Sequence, residues 1–188
     1  MPLTFRSGSG RLCLDFLRTL RLRGQDGAAE ELDSPEALAA WVAQLGPYPD
    51  DAVVPVPSDA VLRQARDVRE SVHAVLAAAR SGSDSPEADR ALLNKAAGEA
   101  PPIPVLGQDL ALAYTAPDPV GAVLAQIARE ALVLATSSEL SRVRECAGPQ
   151  CGAWFLDTSR PGSRRWCSMD TCGNQSKKTT WRTKHSPA

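Results

Sequence analysis

Cys146, Cys151, Cys167 and Cys172 are four of the chain's five cysteines, and they read C-x4-C, fifteen residues, then C-x4-C. Two close pairs separated by a short insert are what a tetrahedral thiolate site needs: each pair supplies two ligands from one turn, and the insert brings the pairs together. Within the first pair, Ala147-Gly148-Pro149-Gln150 contains the glycine and proline of a tight knuckle. The N-terminus lacks the apolar core of a secretory signal, so the expected setting is cytoplasmic. There thiols stay reduced, which favours a metal over two disulfides.

The insert has an apolar run, a turn at Arg160-Pro161-Gly162-Ser163 and a return to Trp166, the pattern of a small hairpin. Ser168 then suits the cap of a helix expected from Asp170 to Lys184, with Cys167 just before it and Cys172 in its first turn. Knuckle, hairpin and helix make a treble-clef-like zinc module. All four ligands come from protein, which leaves no position for water or substrate, so one structural Zn2+ is expected. A module of about 45 residues has too little core to fold alone, which makes the metal a condition of its folding.

Upstream, helix signals dominate. Ser34-Pro35-Glu36 opens an amphipathic segment stopped by Gly46, and a longer one runs from Ser58 to about Arg80. Ser85-Pro86-Glu87 starts a third that ends at Gly98, and Asp118-Pro119 starts a fourth, apolar enough for a central position. Between those two, the runs around Gly107-Gln108-Asp109 predict a β-hairpin, and 46–57 predicts an irregular connection. Residues 11–20 fit a strand through Leu12, Leu14 and Phe16, and a helix through Cys13, Phe16, Leu17 and Leu20. The expected fold class is mostly α with a small β-hairpin, divided into a helical domain over 1–138 and a zinc module over 139–188. No apolar run reads as a membrane span.

Charge is divided along the same line. Residues 1–141 carry 12 Lys/Arg against 19 Asp/Glu, a net of −7, whereas 142–188 carry 9 against 3, a net of +6. Four thiolates and one Zn2+ together carry −2, so the C-terminal part stays basic, at about +4, with metal bound. Arg164, Arg165, Lys177, Lys178, Arg182 and Lys184 are the candidate phosphate contacts, and Asn174 and Gln175 the candidate base contacts, with double-stranded DNA as the partner. The alternative is that these charges solubilise the module or meet another protein, which would make the chain an adaptor without DNA binding. The four tryptophan and phenylalanine side chains Trp154, Phe155, Trp166 and Trp181 are expected as the module's miniature core.

RRWCSMDTCGNQSKK following CAGPQCGAWFLDTS resembles the CGNR zinc-finger family, and RLCLDFLRTL followed by helices resembles its usual partner, the ABATE domain. The resemblance implies a bacterial stress-induced transcription regulator, with the helical domain serving signal input, dimerisation or both. Two positions depart from the family pattern: Gln175 stands where its signature ends in arginine, and Arg18-Thr19 where asparagine-threonine is usual.

Other chemistry is sparse. His73 lies mid-helix without a second histidine at ligand spacing, and Cys13 is either a small buried residue or a sensing thiol. Cys13, Asp15 and Arg18 are the candidate lining of an effector pocket in the helical domain. No phosphate loop, dinucleotide fingerprint or nucleophile motif is present in the sequence, so an enzyme is not expected.

Overall fold

Residues 11–20, whose pattern fits both helix and strand, become both in the computed structural model, which describes residues 4–49, 51–108, 110–148 and 150–178. Helix α1 (Leu12–Leu17) is followed directly by strand β1 (Leu20–Arg21), which pairs antiparallel with β2 (Ala29–Glu30). The next boundaries follow the capping signals. Ser34 Oγ accepts from Ala37 N at 3.2 Å to open α2 (Pro35–Leu45), and Ser58 Oγ accepts from Val61 N at 3.4 Å to open α3 (Asp59–Ser81). At the end of α3, Gly82 takes φ 69°, a left-handed conformation that a Cβ would disfavour. Helix α4 (Glu87–Gly98) starts where expected, but without a side-chain cap. Ser85 instead presents its carbonyl to the Arg90 guanidinium. The predicted hairpin is β3 (Ile103–Leu106) paired with β4 (Leu112–Thr115), with Leu106 opposite Leu112; Asp109 of its turn lies outside the described residues. Asp118 then accepts from Gly121 N at 3.1 Å and opens α5 (Pro119–Thr136).

Helices α3, α4 and α5 pack mutually, with α1 against α3 and α5. The centre is apolar, with Phe16, Trp41, Leu76 and Ile127 all at 0% exposure and the Phe16 and Trp41 rings meeting edge-on at 5.0 Å. By length and composition α5 could cross a membrane, yet its Val123, Ile127, Ala131 and Leu134 sit in this core. The sequence marked it as a central helix and not as a span, because no unbroken apolar run produces the average.

After a short 3-10 turn at Ser138–Arg142, β5 (Val143–Glu145) pairs with β6 (Trp154–Leu156). The hairpin partner of the 154–156 run therefore lies upstream of the first cysteine, and not on the return to Trp166 as the turn at 160–163 predicted. Alternation along β6 places Leu156 in the helical core and Phe155 in a second cluster with Cys146, Cys167 and Cys172. One strand thus serves both cores.

Among the buried polar residues of the helical part is Arg69 of α3, whose side chain is 2% exposed. Its Nη1 and Nη2 donate to the two Glu30 carboxylate oxygens at 2.6 and 2.5 Å, Nη1 also reaches Thr19 Oγ1 at 3.0 Å, and Nε reaches Glu70 at 3.0 Å. Two-residue strands cannot hold a hairpin by themselves. This bidentate fork fixes 19–31 onto α3. Removing the cation should leave the Glu30 carboxylate with only Leu32 N and the more distant Arg66, so Arg69→Leu should cost about 3 kcal/mol of unfolding free energy. Urea denaturation would read it, and a loss below about 1 kcal/mol would mean the fork is dispensable. Burial pushes the Glu30 carboxyl up, but the Arg69 hydrogen bonds outweigh it and hold the carboxyl below the ordinary range. A depressed folded pKa contributes stability above the unfolded value near about 4.3, lost as pH falls through the folded value. Arg69→Leu should therefore flatten the acid limb of the stability curve.

Candidate metal centre and basic surface

Four sulfurs converge from three short pieces of backbone. The Sγ atoms of Cys146, Cys151, Cys167 and Cys172 all lie within 4.8 Å of one another, with Cys151–Cys167 and Cys167–Cys172 at 3.6 Å. Zinc–sulfur bonds of about 2.3 Å require tetrahedral edges of about 3.8 Å, so the cage fits the ion the spacing predicted. These four cysteines form the site of one structural zinc.

The local sequence explains the convergence. Cys146 N donates to Ala153 O at 2.9 Å and Cys151 N to Gly148 O at 3.1 Å, which folds the knuckle back beneath the sulfurs. A Cβ on Gly148 would sit 3.3 Å from both Cys151 Cβ and Cys172 Sγ, so the turn has no slack for a side chain. Cys167 N donates to Cys146 Sγ at 3.3 Å, a hydrogen bond that supports a thiolate. Ser168 Oγ accepts from Thr171 N at 3.4 Å, capping a widened turn at Met169–Gly173 that carries Cys172 and continues as helix over 174–178. Hydrogen bonding from the Cys167 thiol pulls Cys151 down to about 4, and the same bond together with burial pushes Cys167 up. Burial also pushes Cys172 up, so a full set of thiolates needs a cation in the cage.

The loop between Leu156 and Cys167 is held by charge rather than by apolar contact. Asp157, fully buried, accepts from Ser159 N at 2.9 Å, Ser159 Oγ at 2.6 Å and Arg164 N at 2.9 Å. The Ser159 hydroxyl is the first of these in holding its carboxyl below the ordinary range. Three arginines then clamp loop carbonyls. Arg142 donates to Asp157 O at 2.7 Å and to Ser159 O, and Arg144 to Gly162 O at 2.8 Å. Arg164 donates to Trp166 O at 2.8 Å and to Cys167 O, with its guanidinium 4.9 Å from the Phe155 ring centre.

The predicted nucleic-acid residues accordingly separate. Arg164 is turned inward as part of the ligand loop. Arg165, Asn174, Gln175, Lys177 and Lys178 are exposed. Arg165 rests 5.2 Å from the Trp166 ring centre, and Asn174 Nδ2 donates to Asp170 O at 3.2 Å. Arg182 and Lys184, like Trp181 and the expected helix end, lie outside the described residues. Trp154 leaves the miniature core altogether and stacks at 4.7 Å on His73 of α3, with Arg80 at 4.5 Å.

Of the candidate pocket residues, Arg18 lines a cleft whose other lining residues include neither Cys13 nor Asp15. Cys13 is completely buried, and burial pushes its thiol up, away from a reactive thiolate. Asp15 accepts from Ser9 N at 2.9 Å and Gly8 N at 3.3 Å, while Arg18 Nη1 donates to Ser7 O at 3.0 Å and Ser9 Oγ at 3.2 Å. Together they latch the N-terminal segment. Arg18 also reaches the cleft, which lies on the seam with the zinc module. Sequence reasoning missed both the latch and the roles of Arg142 and Arg144, because their partners are backbone carbonyls and amides that no residue type announces.

Two family models match the chain. ABATE, described as "Putative stress-induced transcription regulator", covers residues 10–138, and the CGNR zinc finger covers residues 142–185. No curated protein matches it.

Native mass measurement should show one zinc per chain, and Cys151→Ser combined with Cys172→Ser should abolish it while Cys13→Ser leaves it intact. Protons compete for the same sulfurs, so zinc should be released as pH falls. Retention of a full equivalent by the double variant would refute the assignment.

Proposed function

Since the chain belongs to the ABATE family and its C-terminal module is a CGNR zinc finger, we propose that it is a cytoplasmic, DNA-binding transcription regulator and not an enzyme. The observation that carries this reading is the division of labour among the basic residues. Arg142, Arg144 and Arg164 are consumed by loop carbonyls, yet Arg165, Lys177 and Lys178 remain exposed beside the zinc-held turn and helix. Cations that the module does not need for its own fold are available to phosphates. Asn174 and Gln175 lie on the same short helical stretch and supply polar groups suited to base edges. The helical part would receive the signal or form a dimer.

A protein-contact role has its own support in the β3–β4 hairpin. Leu106, Leu110 and Leu112 are 70, 78 and 65% exposed there, an apolar display at a sheet edge. That surface suits self-association, and it is remote in sequence from the basic module.

Duplex affinity should fall with salt at a log-log slope of about −0.9 per phosphate contact. Lys177→Ala with Lys178→Ala should flatten the slope by up to about two units and weaken all sequences alike, whereas Asn174→Ala should change sequence preference. Arg164→Ala should instead disturb zinc retention. Fluorescence anisotropy with genomic duplexes reads the slope, and zinc content controls for folding. Absence of binding at about 50 mM salt would replace this reading with the adaptor.

A further inference from the structure

A cleft of about 370 Å³ opens where the helical part meets the zinc module. Four arginines line it, Arg6, Arg18, Arg21 and Arg23, against the single carboxylate of Glu145. The rest of its wall is largely apolar, with Leu17, Leu20, Leu22 and Trp154. Such a volume falls within the range of small-molecule sites.

Three of the arginines are backed by acids that are not themselves in the lining, yet they keep donors in reserve. Arg18 stands 3.9 Å from Asp15, Arg21 stands 3.7 Å from Glu31, and Arg23 pairs with Glu70. The first two separations exceed a hydrogen bond, and although Arg18 spends Nη1 on Ser7 O and Ser9 Oγ, a guanidinium has five N–H donors. Arg23 Nη2 is buried without a hydrogen-bond partner, an arrangement that costs free energy unless an acceptor arrives. Arg6 has neither ion pair nor hydrogen bond among the described residues. Leu22, between Arg21 and Arg23, adopts φ 50°, a left-handed conformation unfavourable for a branched side chain and held here by its surroundings. Backing carboxylates hold three of these cations at the wall of a hollow that is largely apolar.

We propose that this cleft binds a small organic anion, with a carboxylate or phosphate head on the arginines and an apolar body against Leu17, Leu20, Leu22 and Trp154. Its walls come from both parts of the chain: Arg18, Arg21, Arg23 and His73 from the helical part, and Glu145 and Trp154 from β5 and β6. An occupant would touch both and so bias their packing. That it acts as the effector rests on the regulator reading above; that it binds does not.

The zinc-loaded full chain would be titrated calorimetrically with phenyl phosphate, benzoate and inorganic phosphate, without DNA. One arm should saturate one site per chain, phenyl phosphate or benzoate identifying the head group, at least tenfold more tightly than inorganic phosphate. Arg6→Gln and Arg23→Gln should each weaken it tenfold or more with zinc content unchanged; Arg6 is exposed, so its replacement tests binding without disturbing the fold. No saturation up to about 10 mM by either organic anion, or affinity unaffected by Arg6→Gln, would overturn the site. So would arginine variants that lose zinc while binding is unchanged, since the cations would then serve the thiolates. In a parallel duplex titration, failure to bind DNA alongside saturation by the organic anion would remove the effector role and leave the site standing.

Discussion

A buried arginine fork determines how the two halves of this chain can meet. Arg69 holds both oxygens of Glu30 from inside α3, and through Thr19 and Glu70 it reaches the end of α1 and the partner of Arg23. Without it, the strands Leu20–Arg21 and Ala29–Glu30 amount to four residues of pairing, too little to stay ordered. With it, the 20–25 loop becomes a fixed wall facing the zinc module. Burying such a pair is costly when either partner is lost, so the arrangement is specific rather than generously stabilising.

The same residue type does three different jobs around the seam, and only neighbours distinguish them. Arg69 neutralises a half-buried carboxylate, Arg142, Arg144 and Arg164 satisfy carbonyls of a loop too short to pair with itself, and Arg165 stays exposed over an indole. A planar fork of donors suits all three tasks. The +6 of residues 142–188 therefore overstates the charge available to a partner, because part of it is spent on holding the ligand loop.

This explains what was legible in the sequence and what was not. Helices opened by Ser34, Ser58 and Asp118 could be read because caps act within three residues. The zinc cage could be read because thiolate chemistry dictates both residue type and spacing. By contrast, the β1–β2 hairpin is set by a contact fifty residues away in sequence, between Thr19 and Arg69. Asp15 and Arg18 drew notice as a charged pair, but the backbone of Ser7, Gly8 and Ser9 that they hold, a latch beside the cleft that Arg18 lines, carries no residue-type signal. The 154–156 run announced a strand without saying on which side its partner lay.

That latch also connects the zinc to the helical core. Asp15 fixes Ser9 N, Ser9 O accepts from Leu156 N at 2.7 Å, and Leu156 is the residue that β6 buries in the helical core while its neighbour Phe155 faces the thiolates. At Gly10, φ is 88° and an added Cβ would come within 3.1 Å of Leu156 Cβ, so the N-terminal segment can lie against β6 only as glycine. Loss of metal would loosen Cys146 and Cys151 at the two ends of the knuckle joining β5 to β6. The strand would lose its support on one side, and the disturbance would pass along the Leu156–Ser9 bond into α1. Zinc thus stabilises more than the small module that binds it, because the strand leaving the cage is also a wall of the larger core.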